Sequence, residues 1–301
     1  MRRSQEVPES DANETIQAIY ADIKSTLCVT YVPAFFRALA TNGAFVEQMW
    51  RSLEPTLTIH YVRAADDLRA AAVDLAGSLD DELGLPQGQP AEQQIDGLWV
   101  VHFIAPKTLL AAATLEGALT SGSTGADSRV VWPQNTGVPR GMPLPAFIHP
   151  EAANGTIGTT YGDITETLKL PVLTDEWRAL AASAETLRSA WHQVRGLSDG
   201  DAYPKVVDEL TDAARDHGRK LPRRVLDLDA ATLRNQGIDE SAQQSVRETV
   251  SAFVPALARE TIHTSLWLSQ LTSPDEAQLT GLQLLRRWTV PHGYRTDTVL
   301  T

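Results

Sequence analysis

Leu173-Thr-Asp-Glu-Trp-Arg-Ala-Leu-Ala181 repeats the pattern of Val32-Pro-Ala-Phe-Phe-Arg-Ala-Leu-Ala40, with an aromatic residue ahead of Arg-Ala-Leu-Ala in both. Where the earlier stretch carries the apolar pair Ala34-Phe35, the later one carries Asp175-Glu176. Working outward, a shift of 141 positions aligns residues 20–50 with 161–191 without a gap. Ten positions coincide: Tyr20/Tyr161, Asp22/Asp163, Ile23/Ile164, Thr26/Thr167, Leu27/Leu168, Arg37/Arg178, Ala38/Ala179, Leu39/Leu180, Ala40/Ala181 and Trp50/Trp191. Solenoid repeats recur every roughly 20 to 50 residues, so a period this long indicates a duplicated domain.

Apolar residues recur at helical spacing in both segments, as in Ile16, Ile19, Tyr20, Ile23 and Leu27, and again in Trp177, Leu180, Ala184, Leu187 and Trp191. The same periodicity predicts helices over 60–79, 97–119, 205–217, 241–271 and 274–288, and no stretch alternates with the two-residue period of a strand. The expected fold is therefore all-α: two tandem helical repeats, 1–125 and 156–301, packed as a pseudo-dimer. Between them, the five prolines of 132–150 exclude regular helix and make 126–155 a semi-rigid connector. The surface shared by two such halves is a natural place for a ligand.

Bulk properties narrow the function. With 38 acidic and 26 basic residues the formal charge is −12, which disfavours nucleic acid and anionic membranes and favours a small-molecule partner. The single Cys28 can form neither an internal disulfide nor a redox pair, so a thiol peroxidase of the broader helical type is excluded and a cytoplasmic location is expected. The N-terminal residues lack the apolar core of a signal peptide, and the most apolar run, 97–105, is too short to span a bilayer. Scarce Lys and abundant Asp fit a high-salt cytoplasm and a GC-rich genome equally.

Several motifs carry a functional and a plain reading side by side. Thr120-Ser-Gly-Ser-Thr-Gly125 has the look of an adenylate-forming phosphate loop, but Ala126-Asp127 replaces the required lysine, so a flexible Ser/Gly loop is expected. Glu260-Thr-Ile-His263 has the Glu-x-x-His spacing of carboxylate-bridged metal helices, yet no second copy occurs, and no metal site or cofactor is expected. Asp175 stands where acids cap a helix start. Its absence from the first segment sets it apart, because a feature required by the fold should occur in both. By the same logic Arg37, Arg178, Trp50 and Trp191 are structural, the arginines salt-bridged or solvated on a helix face, the alternative being that either arginine holds a substrate carboxylate.

The chain resembles the group I 2-haloacid dehalogenases, which act on both D and L 2-haloalkanoic acids. The resemblance is carried by Tyr20-Ala-Asp-Ile-Lys-Ser-Thr-Leu27, Arg37-Ala-Leu-Ala40, Tyr61-Val-Arg-Ala-Ala-Asp-Asp-Leu-Arg69, Pro139-Arg-Gly-Met142 and Thr174-Asp175 followed by Ala179-Leu-Ala181. It implies an all-α pseudo-dimer with its site between the repeats. It also implies that Asp175 activates a water, which attacks the halogen-bearing carbon directly, with inversion and no ester intermediate. Leu173 and Thr174, with Tyr31 and Ala34 from the first repeat, fall on the positions lining the pocket.

A carboxylate within reach of that water must accept its proton, and an apolar surround would make it the stronger base. A single acid is preferable to two facing ones, which would repel each other and an anionic substrate. The family's water-positioning Asn is replaced by Ala105, and Thr108 or Leu109 stands at the position of its pocket Tyr. Loss of one preorganised group would raise the barrier by roughly 2 to 4 kcal/mol. The expected protein is thus a cofactor-independent hydrolase of small 2-haloacids, with room for a homo-oligomer. The alternative is a non-catalytic protein that binds or senses a small acid on the same fold.

Overall fold

The structure is a computed structural model describing residues 6–80, 90–121, 137–222 and 226–289. Its helices are α1 (Glu14–Leu27), α2 (Ala34–Leu39), α3 (Gly43–Leu53), α4 (Ile59–Asp80), α5 (Glu92–Ser121), α6 (Gly155–Thr167), α7 (Asp175–Leu180), α8 (Ala184–Ser198), α9 (Ala202–Lys220), α10 (Ala230–Asn235), α11 (Glu240–Leu271), α12 (Pro274–Ala277) and α13 (Gly281–Thr289). No strand occurs among the described residues, and the all-α expectation holds.

The 141-residue offset governs details that identity alone would not reveal. Trp50 Nε1 donates to Asp22 Oδ2 and Trp191 Nε1 to Asp163 Oδ2, each at 2.7 Å. Tyr20 Oη donates to the Val7 carbonyl and Tyr161 Oη to the Ile148 carbonyl, each at 2.8 Å. The amides of Val7 and Ile148 in turn donate to the carbonyls of Arg37 and Arg178. Cys28 and Lys169, one offset apart, both adopt left-handed backbone, at φ 58° and 51°. The correspondence begins well before residue 20, and Ile148, inside the segment read as connector, makes the bonds that Val7 makes.

Two expected helices are divided. The pattern from Trp177 to Trp191 is split into α7 and α8, because Ser183 caps α8 by accepting from the Thr186 amide. Asn42 does the same for α3 through the Phe45 amide, one offset earlier. Periodicity misses such breaks, since a cap residue interrupts hydrogen bonding without interrupting the apolar stripe. The pattern 274–288 is likewise split into α12 and α13, with Ser273 capping the first.

The core is built on α5 and α11, which pack along each other and against α4 and α9. The apolar run of 97–105 is part of this longer helix, and Glu92–Thr120 is long and apolar enough to cross a membrane. Its apolar window lies wholly inside the protein, which accounts for its composition without lipid. The Ser/Gly stretch beyond Ser121 lies outside the described residues. In the described part of the connector, a Cβ on Gly141 would collide with the Trp288 carbonyl, so the chain there runs closer to α13 than any side chain permits.

Candidate functional site

The short helices α2 and α7 begin with their first amides turned toward carboxylates from elsewhere in the fold. Asp175, the first residue of α7, does not cap its own helix: its Oδ2 accepts from the Ala34 amide of α2 at 2.8 Å. The Asp175 amide is served by α11, donating to Glu260 Oε1 at 3.0 Å. Both ends are thus satisfied across the structure, as buried helix termini must be. The capping role expected for Asp175 is real but directed at the matched segment, since Pro33 ahead of α2 has no side-chain oxygen to offer.

The arginines are buried, not solvated on a helix face. Arg37 Nη2 donates to Asp175 Oδ1 at 3.0 Å, while Arg178 Nε lies 3.9 Å from the same oxygen. Glu6 bridges them, accepting from Arg37 Nε at 3.2 Å and Arg178 Nη1 at 2.7 Å. Each arginine also binds the carbonyl five residues before it, Val32 for Arg37 and Leu173 for Arg178. Burial works against the Arg37 cation, but Asp175 and then Glu6 outweigh it and hold its pKa above the usual value. Burial pushes the Glu6 carboxyl up, and Arg178 with Arg37 overcomes this and holds it below the usual range. Asp175 therefore sits in an ionic setting, and not against the apolar wall that was expected.

Of the predicted lining residues, four converge on Asp175. Ala34 supplies its amide, the Leu173 carbonyl holds Arg178, and Thr174 Oγ1 donates to Glu176 Oε1 at 2.9 Å. Tyr31 packs its ring edge-on against Phe147 at 4.7 Å, and its buried hydroxyl has no hydrogen-bond partner. Ala105 and Thr108 are buried on α5, where Thr108 Oγ1 donates to the Ile104 carbonyl; no hydrogen bond joins either to Asp175. The expected open cleft is not seen at these residues, all of them at most 4% exposed. A cavity of about 750 Å³ lies elsewhere, among Glu116, Arg215, Arg219 and Arg247.

Sequence reasoning assigned no part in the site to a further group of buried residues. Glu176 Oε1 accepts from Thr174 and lies 3.2 Å from His263 Nδ1, and His263 Nε2 is 2.7 Å from Tyr203 Oη. Burial, followed by the charges of Glu176 and Asp175, drives the pKa of Glu260 well up. Burial lowers the pKa of His263 despite Glu176, so the ring is neutral. The Glu-x-x-His spacing was a usable signal, because it puts two polar residues on the buried face of α11, though they bond to α7 and Tyr203.

This geometry can be set beside known proteins. No family model matches the chain. It is 28% identical over 214 residues to a protein of Pseudomonas putida named (R)-2-haloacid dehalogenase, covering 65% of this chain and 69% of that one. The chain is similar to 2-haloacid dehalogenases. A Rhizobium sp. (strain NHG3) protein of the same name is 26% identical over 227 residues, covering 72% of this chain and 87% of the relative. The same fold occurs in a D-2-haloacid dehalogenase in complex with L-LA, at a TM-score of 0.76 and 24% identity, over 88% of this chain and 95% of that one. A mutant of a D-2-haloacid dehalogenase with D-2-CPA matches equally well. These names support the haloacid dehalogenase family and do not extend to the subtype acting on both enantiomers.

Proposed function

We propose that the chain is a hydrolase of the 2-haloacid dehalogenase type, in which Asp175 takes a proton from water as that water displaces halide from a small 2-haloalkanoic acid without a covalent intermediate. What carries the reading is a buried carboxylate fixed at the meeting of α2 and α7, at the position the resemblance singles out. Each Asp175 oxygen accepts one bond, from Ala34 or Arg37, and a carboxylate oxygen has a second lone pair that can receive a water proton. The names of the curated relatives favour the (R) enantiomer. The proposed frame is a pseudo-dimer of 1–125 and 156–301, with Tyr31, Ala34, Leu173 and Thr174 nearest the reacting atoms and Ala105 and Thr108 more remote. Substrate entry then requires local opening of the buried α2/α7 seam. Cytoplasmic residence, no cofactor, and a small carboxylic acid as partner belong to the same reading.

The test is halide release from (R)- and (S)-2-chloropropionate by wild type and Asp175→Asn. Release from the (R) form that disappears in the variant supports the proposal, and undiminished release by Asp175→Asn sinks it. The ion pair with Arg37 and the alanine at 105 favour a second reading, a protein that binds a small acid without turning it over. It predicts thermal stabilisation by the ligand with no halide released.

A further inference from the structure

Asp175 is gripped at both ends by different helices. Its carboxylate is drawn toward α2, where Oδ2 accepts from the Ala34 amide at 2.8 Å and Oδ1 from Arg37 at 3.0 Å. Its own amide points to α11 and donates to Glu260 Oε1 at 3.0 Å, across 85 residues of chain. Both acids are buried, 2% and 3% exposed. The residue ahead of α7 supplies no substitute for this hold, since Thr174 makes no side-chain cap and donates its hydroxyl to Glu176. The two caps therefore run in series: Glu260 of α11 holds the first amide of α7, and Asp175 of α7 holds the first amide of α2. The helix at the head of this series is the rigid one, because α11 runs for 32 residues through the core and packs against both six-residue helices.

We propose that Glu260 is a positioning residue for Asp175: from α11 it fixes the backbone of the first residue of α7, so that the Asp175 carboxylate keeps its aim at the attacking water. This rests on the hydrolase reading. Glu260 touches neither water nor substrate and moves no proton; it acts through the Asp175 amide alone. Without that bond the first turn of α7 can pivot about the two bonds that tie Asp175 to α2. A displacement of about 1 Å at a reacting group can cost roughly a hundredfold in rate, so the loss falls on kcat more than on KM. The role calls for an acceptor at one reach and not for a charge. Burial, with the charges around it, favours the neutral form of Glu260, whose carbonyl oxygen accepts from an amide as a glutamine oxygen does.

Two variants separate reach from charge, with halide release from (R)-2-chloropropionate measured per folded protein. Glu260→Asp keeps the carboxyl but sets it one methylene short of the amide, and kcat should fall by about tenfold or more with KM within about threefold. Glu260→Gln keeps the reach without the acid, and should recover most of that loss. A Glu260→Asp enzyme with wild-type kcat, a loss in Glu260→Gln as large as in Glu260→Asp, or a change confined to KM overturns the proposal. A second measurement needs neither turnover nor the shortened variant. The amide proton resonance of Asp175 should move on Glu260→Gln, by more than the other amides of α7, and an unmoved resonance overturns the proposal at its root. If wild type releases no halide, the hydrolase reading falls and the positioning role with it, while the resonance still decides whether Glu260 holds α7.

Discussion

Replacing Asp175 with asparagine removes one charge and almost no volume, and its effect on stability can be worked from three bonds. The Arg37 bond at 3.0 Å is lost, because the new amide turns N–H groups toward a guanidinium if its oxygen keeps the Ala34 amide. Both ion-pair partners are buried, so solvent does not screen the loss. Removing one partner of such a pair costs about 3 to 5 kcal/mol, and Arg37 keeps Glu6, which places the expected loss near the lower figure. Asp175→Ala additionally leaves the first amide of α2 without an acceptor, a further loss of about 1 kcal/mol. Urea unfolding of wild type and both variants at pH 7 measures this order directly. If Asp175→Asn lies within about 0.5 kcal/mol of wild type, the Arg37 pair contributes nothing net and the reasoning about the site's electrostatics is wrong.

Glu6, its folded pKa held below the unfolded value by Arg178 and Arg37, contributes stability that is present above about pH 4.5 and lost as pH falls through the folded value. Thermal unfolding between pH 7 and 3 should fall more steeply for wild type than for Glu6→Gln. Burial brings Lys107 down to about 8 from an ordinary 10.5, so the unfolded chain binds more protons between those values, and that residue's contribution to stability rises with pH across the interval. Lys107→Met should abolish this rise. Trp50→Phe and Trp191→Phe each remove one 2.7 Å bond to aspartate, and each should cost about 1 kcal/mol, adding in the double variant. Gly141→Ala should cost about 1 to 3 kcal/mol, measured by denaturant unfolding, because the Trp288 backbone must move to admit the methyl group.

The all-α class was legible in the sequence because helical periodicity is a local property. Helical stripes follow from the 3.6-residue period, and the 141-residue offset survives in identities such as Arg37/Arg178. What surrounds Asp175 was not legible, since Ala34 and Arg37 of α2, Glu260 of α11, and Glu6 behind the arginines come from three separate places in the chain. The sequence showed an acid at a helix start, for which its own helix was the natural customer. Only the packing of α2 against α7 decided that the carboxylate serves the other segment. Burial also changes the meaning of charge: Arg37 and Glu260, ordinary solvated residues on a helical wheel, become obligatory partners once water is removed from around them. The period of the chain therefore set its architecture, and the pairing of groups distant in sequence but close in a dry interior set its chemistry.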